Sequence, residues 1–146
     1  METTRFGKLR PRYRFALNPF REVRWSSCPR CEKLMHARKF PLLIAFTDGT
    51  MLTLGKTCRY CTPCEFIIAH QHELDDEVAS FRSAHPGHAS DEWFVIGTVE
   101  RKAWMEGLHA GASLDDLREH TSDIRYPTTV HDPRPLLVAE KLGRDG

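Results

Sequence analysis

The period of hydrophobic and polar positions changes several times along the chain. Arg12-Tyr13-Arg14-Phe15-Ala16-Leu17 starts by alternating basic with apolar residues, the two-residue period of a strand with one wet face. Asn18-Pro19 ends this run, and 20–25 reads as a second extended piece. Further on, Leu42 to Thr47 and Thr50 to Leu54 flank Asp48-Gly49, which predicts a hairpin closed by a two-residue type I′ turn. Such a turn sets Phe46 opposite Met51, Ala45 opposite Leu52, Ile44 opposite Thr53 and Leu43 opposite Leu54. Leu42, Ile44, Phe46 and Met51 then share one face, and Leu43, Ala45, Leu52 and Leu54 the other. Both faces are apolar, so both require cover.

Helical signals begin after the hairpin. Thr62-Pro63-Cys64-Glu65 has the form of a Thr-x-x-Glu capping box with proline at the first helical position. It predicts a helix over 63–81, with Ile67, Leu74, Val78 and Phe81 on one stripe. The cluster Glu73, Asp75, Asp76 and Glu77 fits a solvated face. Trp93 to Val99 reads as a strand buried on both sides that extends the hairpin sheet. A short helix is expected near 100–109, and Ser113 caps another. The expected fold class is α+β: a small antiparallel sheet around the 42–54 hairpin plus the 63–81 helix. Residues 1–11 read as a disordered basic tail, 12–120 as the domain, and 121–146 as an extended or flexible segment.

Length and composition agree with one globular domain: 146 residues, 40% hydrophobic and 28% charged. No apolar run nears the roughly 20 residues of a membrane-spanning helix, and Met1 to Arg5 lacks the apolar core of a secretory signal. A cytoplasmic location is therefore expected, where thiols stay reduced. The net charge of +1 conceals a split, because residues 1–40 hold 11 Lys/Arg against 3 Asp/Glu. A basic arm of this kind either binds an anionic partner or pairs with the acidic remainder of its own chain.

All five cysteines lie between Cys28 and Cys64. Cys28-Pro29-Arg30-Cys31 and Cys58-Arg59-Tyr60-Cys61-Thr62-Pro63-Cys64 carry Cys-x-x-Cys spacing, which suits a four-thiolate cage for one zinc ion. Cys28 and Cys31 form the first pair. The second is Cys61 with Cys64, which a helix start at Thr62 would favour, or Cys58 with Cys61. A closed shell of this type makes the zinc structural, and its removal would be expected to unfold 28–81. His85 and His88 flank a Pro-Gly turn without carboxylate or cysteine neighbours at ligand spacing, a weak basis for a second metal.

The two cysteine clusters, the intervening hairpin, 95–102 and Trp104 together resemble a family of uncharacterised bacterial zinc-ribbon or treble-clef-like proteins. The resemblance spans 12–108 and implies a four-cysteine core of that type, with no activity to transfer. The chain departs from the pattern at Glu32, where a glycine is expected, and at Thr62-Pro63. No nucleophile–base pair, phosphate-binding glycine loop or open metal motif indicates an enzyme or a small-molecule substrate. The function expected is a nucleic-acid or protein binding module, with Arg12, Arg14, Arg21 and Arg24 among aromatic residues as the nucleic-acid contacts. The alternatives are a scaffold protein without a nucleic-acid role, or a thiol- or zinc-based sensor using the spare cysteine.

Overall fold

The structure, a computed structural model, describes residues 5–87, 90, 92–108 and 113–132. Six strands close into a barrel in the order β1-β4-β3-β2-β5-β6. They are β1 (Leu9–Asn18), β2 (His36–Phe46), β3 (Met51–Cys61), β4 (Phe66–His70), β5 (Trp93–Val99) and β6 (Thr121–Thr129). Helix α1 spans Gln71–Ala84, α2 spans Arg101–Ala103 and continues as a π turn over Trp104–Leu108, and α3 spans Leu114–Glu119. β1 runs parallel to both of its neighbours, β4 and β6, while the other ladders are antiparallel.

This arrangement overturns the expected hairpin-plus-helix fold and its zinc-ribbon or treble-clef core. The 63–81 helix fails in its first half, where Phe66 to His70 is a strand between β1 and β3. The reason lies in Phe66-Ile67-Ile68-Ala69, which is buried on both faces. A short two-sided apolar run rich in β-branched residues satisfies a sheet interior better than an amphipathic helix. The capping box does not form either. Glu65 sits at φ 48° and its N–H bonds back to the Thr62 carbonyl at 3.2 Å, closing a turn. The helix starts only at Gln71, and of the expected stripe Leu74 and Val78 are its buried residues.

The hairpin is present, longer than expected and one residue out of the expected register. Leu42 faces Leu54, Ile44 faces Leu52 and Ala45 faces Met51. The cause is the turn. Gly49 N–H bonds to Phe46 O at 3.0 Å, Phe46 N–H bonds to Thr50 O at 2.9 Å, and Gly49 alone takes a left-handed φ of 92°. A three-residue loop with a glycine bulge replaces the two-residue turn. A shift of one residue exchanges faces, so Leu42, Ile44 and Phe46 join Leu52 and Leu54 in the inner core. Leu43 and Met51 turn outward to a satellite cluster with Val99, Leu117 and Phe6.

The inner core gathers Tyr13 and Phe15 of β1, Phe40, Leu42, Ile44 and Phe46 of β2, Cys58 and Tyr60 of β3, and Ile67 of β4. Leu74 and Val78 of α1 pack into the same cluster, and Phe81 stacks on Phe46 at the hairpin end, ring centroids 5.9 Å apart. A second cluster lies behind β1 and β4. Ala16, Cys61, Phe66 and Ile68 pack there against Phe20, Trp25, Cys28 and Met35 of the segment 19–35, which folds over the strands as a flap. Buried Asn18 pins the flap by donating from Nδ2 to Val23 O at 2.7 Å and accepting from Phe20 N–H at 3.0 Å.

β1 begins at Leu9 and β6 runs to Thr129, so barrel strands reach into both segments expected to flank the domain; residues 1–4 and 133–146 lie outside the described residues. β5 and β6 pair over three residues, Gly97, Thr98 and Val99 facing Asp123, Ser122 and Thr121. At Gly97 a Cβ would lie 2.5 Å from Ser122 O, so the backbones meet there at a distance that only glycine permits. Gly97→Ala is expected to lower the unfolding free energy by about 1–3 kcal/mol through overpacking of this seam. Urea denaturation should show an earlier midpoint at unchanged slope; an unmoved midpoint would mean that the seam yields freely.

Candidate metal centre

Four of the five cysteines converge. The Sγ atoms of Cys28, Cys31, Cys61 and Cys64 all lie within 4.8 Å of one another, with Cys31–Cys61 at 3.4 Å and Cys28–Cys64 at 4.0 Å. A tetrahedral ion bound at about 2.3 Å separates its thiolates by about 3.8 Å, so the cluster has the dimensions of a four-thiolate site and could hold a metal ion. Cys61 ends β3, Cys64 lies in the turn before β4, and Cys28 and Cys31 belong to the flap. The cluster therefore brings the flap against the β3–β4 turn, and a metal bound there would tie the two together.

The two knuckles differ in their hydrogen bonds, Glu65 N–H reaching Thr62 O, but share one backbone feature. Cys28 N–H bonds to Lys33 O and Glu32 N–H to Cys28 O, each at 2.8 Å, while Arg30 N–H points at Cys28 Sγ at 3.4 Å. Each second cysteine is followed by a glutamate of positive φ, Glu32 at 65° and Glu65 at 48°. Glu32 thus adopts the left-handed backbone that the expected glycine would supply, at a cost of about 1–2 kcal/mol. The repeated Cys-x-x-Cys-Glu is visible in the sequence and marks Cys61 with Cys64 as the counterpart of Cys28 with Cys31.

The thiols differ in acidity. The Cys31 thiol is lowered to about 7, chiefly because the Lys33 backbone N–H bonds to its sulfur, whereas burial pushes Cys61 up to about 12 and raises Cys64. Cys31 accordingly ionises before Cys61 and Cys64. Bound metal must displace the remaining protons, and affinity falls as the pH falls. Cys58 stands apart. It packs in the inner core, its Sγ donates to Lys56 O at 3.3 Å, and burial pushes its thiol up to about 12. His88 lies outside the described residues, and His85 stacks on Phe81 at 4.4 Å.

The arginines divide into two groups. Arg12 pairs with Glu65, Nη2 to Oε2 at 2.7 Å, and lies over the Tyr13 ring at 4.5 Å. Arg14 donates to Thr128 Oγ1 at 3.2 Å and lies over Tyr126 at 4.8 Å. Both border a hollow of about 460 Å³ beside Cys64, together with Arg10, Arg125 and Tyr126. Arg21 and Arg24 lie exposed on the flap and do not line that hollow. Arg10, Arg125 and Tyr126 were not legible as partners, because nothing local to them predicts the parallel β1–β6 pairing. Among the helix acids, Glu73 pairs with Lys56 of β3 and not with these arginines.

No helix among the described residues is long and apolar enough to cross a membrane. The chain matches no protein-family model, no curated protein and no solved structure, so the resemblance to a zinc-ribbon family gains no support.

The inner core contains none of the four clustered cysteines, which changes what metal removal should do. Chelation is expected to raise hydrogen exchange in 19–35 and 61–65 while β2 amides stay protected; uniform loss of protection would show that the metal holds the whole barrel. Cys58→Ala is expected to leave the metal content unchanged, and Cys58 should resist alkylation near neutral pH in the folded protein. Rapid labelling of Cys58, read by peptide mass mapping, would contradict its placement.

Proposed function

We propose that the chain is a zinc-braced β-barrel binding module whose β1–β6 face binds single-stranded nucleic acid. The observation that carries this reading is the half-exposed Tyr126 ring with two guanidiniums over it, Arg14 at 4.8 Å and Arg125 at 5.0 Å. Two cations on one ring repel each other, and an anion between them would relieve the repulsion. Phosphates suit the guanidiniums and an unstacked base suits the aromatic ring, the two contacts by which single strands are held without reading their sequence. Arg10 extends the positive surface along the same hollow, where Arg12 is held by Glu65.

Zinc is the metal that four thiolates in a tetrahedral cage favour. With all four positions taken by sulfur the ion has no open site for water, so its role is to brace the flap. The hollow beside Cys64 borders the braced turn, and the metal would position the face without touching the ligand.

Polarised fluorescence of a labelled single-stranded oligonucleotide tests the reading on the zinc-loaded full chain. Arg14→Gln with Arg125→Gln is expected to weaken binding about tenfold or more and to flatten its dependence on salt. Tyr126→Ala should weaken it by about 1–3 kcal/mol per stacked base. Binding untouched by these changes would refute this assignment of the face, and an oligonucleotide that never binds would leave the scaffold role as the better reading.

A further inference from the structure

A second basic concavity lies on another side of the barrel mouth. It is a cleft of about 260 Å³ between β1, β2, the end of β5 and the start of α2. Its floor is apolar and buried, formed by Tyr13, Phe40 and Val99. Five cations line it: Arg12, Arg38, Lys39, Arg101 and Lys102. Glu100 is the one carboxylate among the described lining residues, and it accepts from His120 Nδ1 at 2.7 Å.

We infer that this cleft is a phosphoryl-binding site, distinct from the β1–β6 face. The cations are not loosely placed. The Arg38 guanidinium lies over Phe40 at 5.0 Å and over Tyr60 at 5.2 Å, Arg12 over Tyr13 at 4.5 Å, and Lys39 Nζ over the Trp104 ring at 5.5 Å. The three rings beneath the arginines pack edge-on to one another with centroids 5.0–5.9 Å apart, so they form a rigid bed. Guanidiniums held by such a bed lose little freedom on capturing a ligand, which lowers the cost of binding.

Charge and size select the ligand. Arg12 is already paired with Glu65, and Glu100 with His120, which leaves Arg38, Lys39, Arg101 and Lys102. These four cations still exceed what a single carboxylate ligand would balance, whereas a phosphate monoester brings close to two negative charges and three acceptor oxygens. The arginine fork matches that geometry, and the lysines neutralise the remaining charge. The cleft is large enough for one phosphoryl group and a small attached moiety. The group can belong to a free phosphorylated compound or to the terminal phosphate of a strand. The inference stands independently of the β1–β6 reading, because Arg38, Arg101 and Lys102 take no part in that face.

Calorimetric titration of the zinc-loaded full chain with inorganic phosphate, at fixed ionic strength, tests the site. Saturable binding is expected, falling about tenfold in each of Arg38→Gln and Arg101→Gln and less steeply in Arg38→Lys, which keeps the charge but loses the fork. Retained melting temperatures would confirm that the variants fold. A phosphorylated dinucleotide compared with its 5′-hydroxyl form then separates the sources. Preference for the 5′-phosphate assigns the site to a strand terminus, and equal weakness of both beside tight phosphate binding assigns it to a free compound. Absent saturation, binding indifferent to Arg38→Gln and Arg101→Gln, or binding lost only in Arg14→Gln with Arg125→Gln would overturn the inference.

Discussion

Closure of the sheet through β1 is the constraint on which the remaining structure depends. β1 takes β4 on one edge and β6 on the other, both parallel, and without it the strands would form an open sheet with two bare edges. Parallel neighbours cannot be joined by tight turns, so the chain between β1 and β4 must cross over. Here that crossover carries the flap and the β2–β3 hairpin. The flap covers the outer side of β1 and β4, and the hairpin supplies the inner wall. Both sides of Phe66 to Ala69 are thereby buried, which is why that stretch is a strand.

The cysteine cluster belongs to this scheme as a clasp. The flap lacks extended sheet pairing: its isolated bridge, Ser27 with Leu34, is internal, and it is held to the barrel by Asn18, by His70 Nε2 against Val23 O at 3.1 Å, and by packing in the second cluster. Four thiols bring it beside the β3–β4 turn, where a bound metal would fasten the covering layer at the point where the strand direction reverses. Basic residues of β1 lie close to this end. Arg12 links by Glu65 to the same turn, β1 changes register against β6 between Leu9 and Arg12, and Tyr13 just beyond leaves the regular strand geometry at φ 68°. The bulge lets neighbouring residues of β1 serve two concavities, Arg14 the β1–β6 hollow and Arg12 both hollow and cleft.

Much of the local structure was legible, and the way it assembles was not. The alternation around Tyr13 and Phe15, the hairpin, the strand at Trp93, the caps of the later helix and the clustering of cysteines are short-range signals, and each has a counterpart in the fold. The hairpin register was misread because Asp48-Gly49 also suits a three-residue loop, and only the inward pairing of Leu42 with Leu54 distinguishes the two. The strand at Phe66 was misread because a two-sided apolar run next to a plausible cap looks like a helix until its covering layer is known. β6 carries Ile124, Tyr126 and Pro127 with no clear period, and its role follows only from what lies beside it. The clefts depend on such long-range neighbours, so their residues were the least visible of all.

The placement of β6 carries a kinetic consequence. Its ladder joins Leu9 to Ser122 and Leu17 to Thr129, so the barrel can close only after nearly every described residue has left the ribosome. Until then β1 and β5 each lack a partner, and the hairpin with its neighbours is a sheet with open, apolar edges. Contacts of such long sequence separation are slow to form, because the loop entropy must be lost before any pairing rewards it. Folding of this chain should therefore be largely post-translational, with the clasped flap and hairpin as its early intermediate and strand exchange between unfinished copies as its characteristic failure.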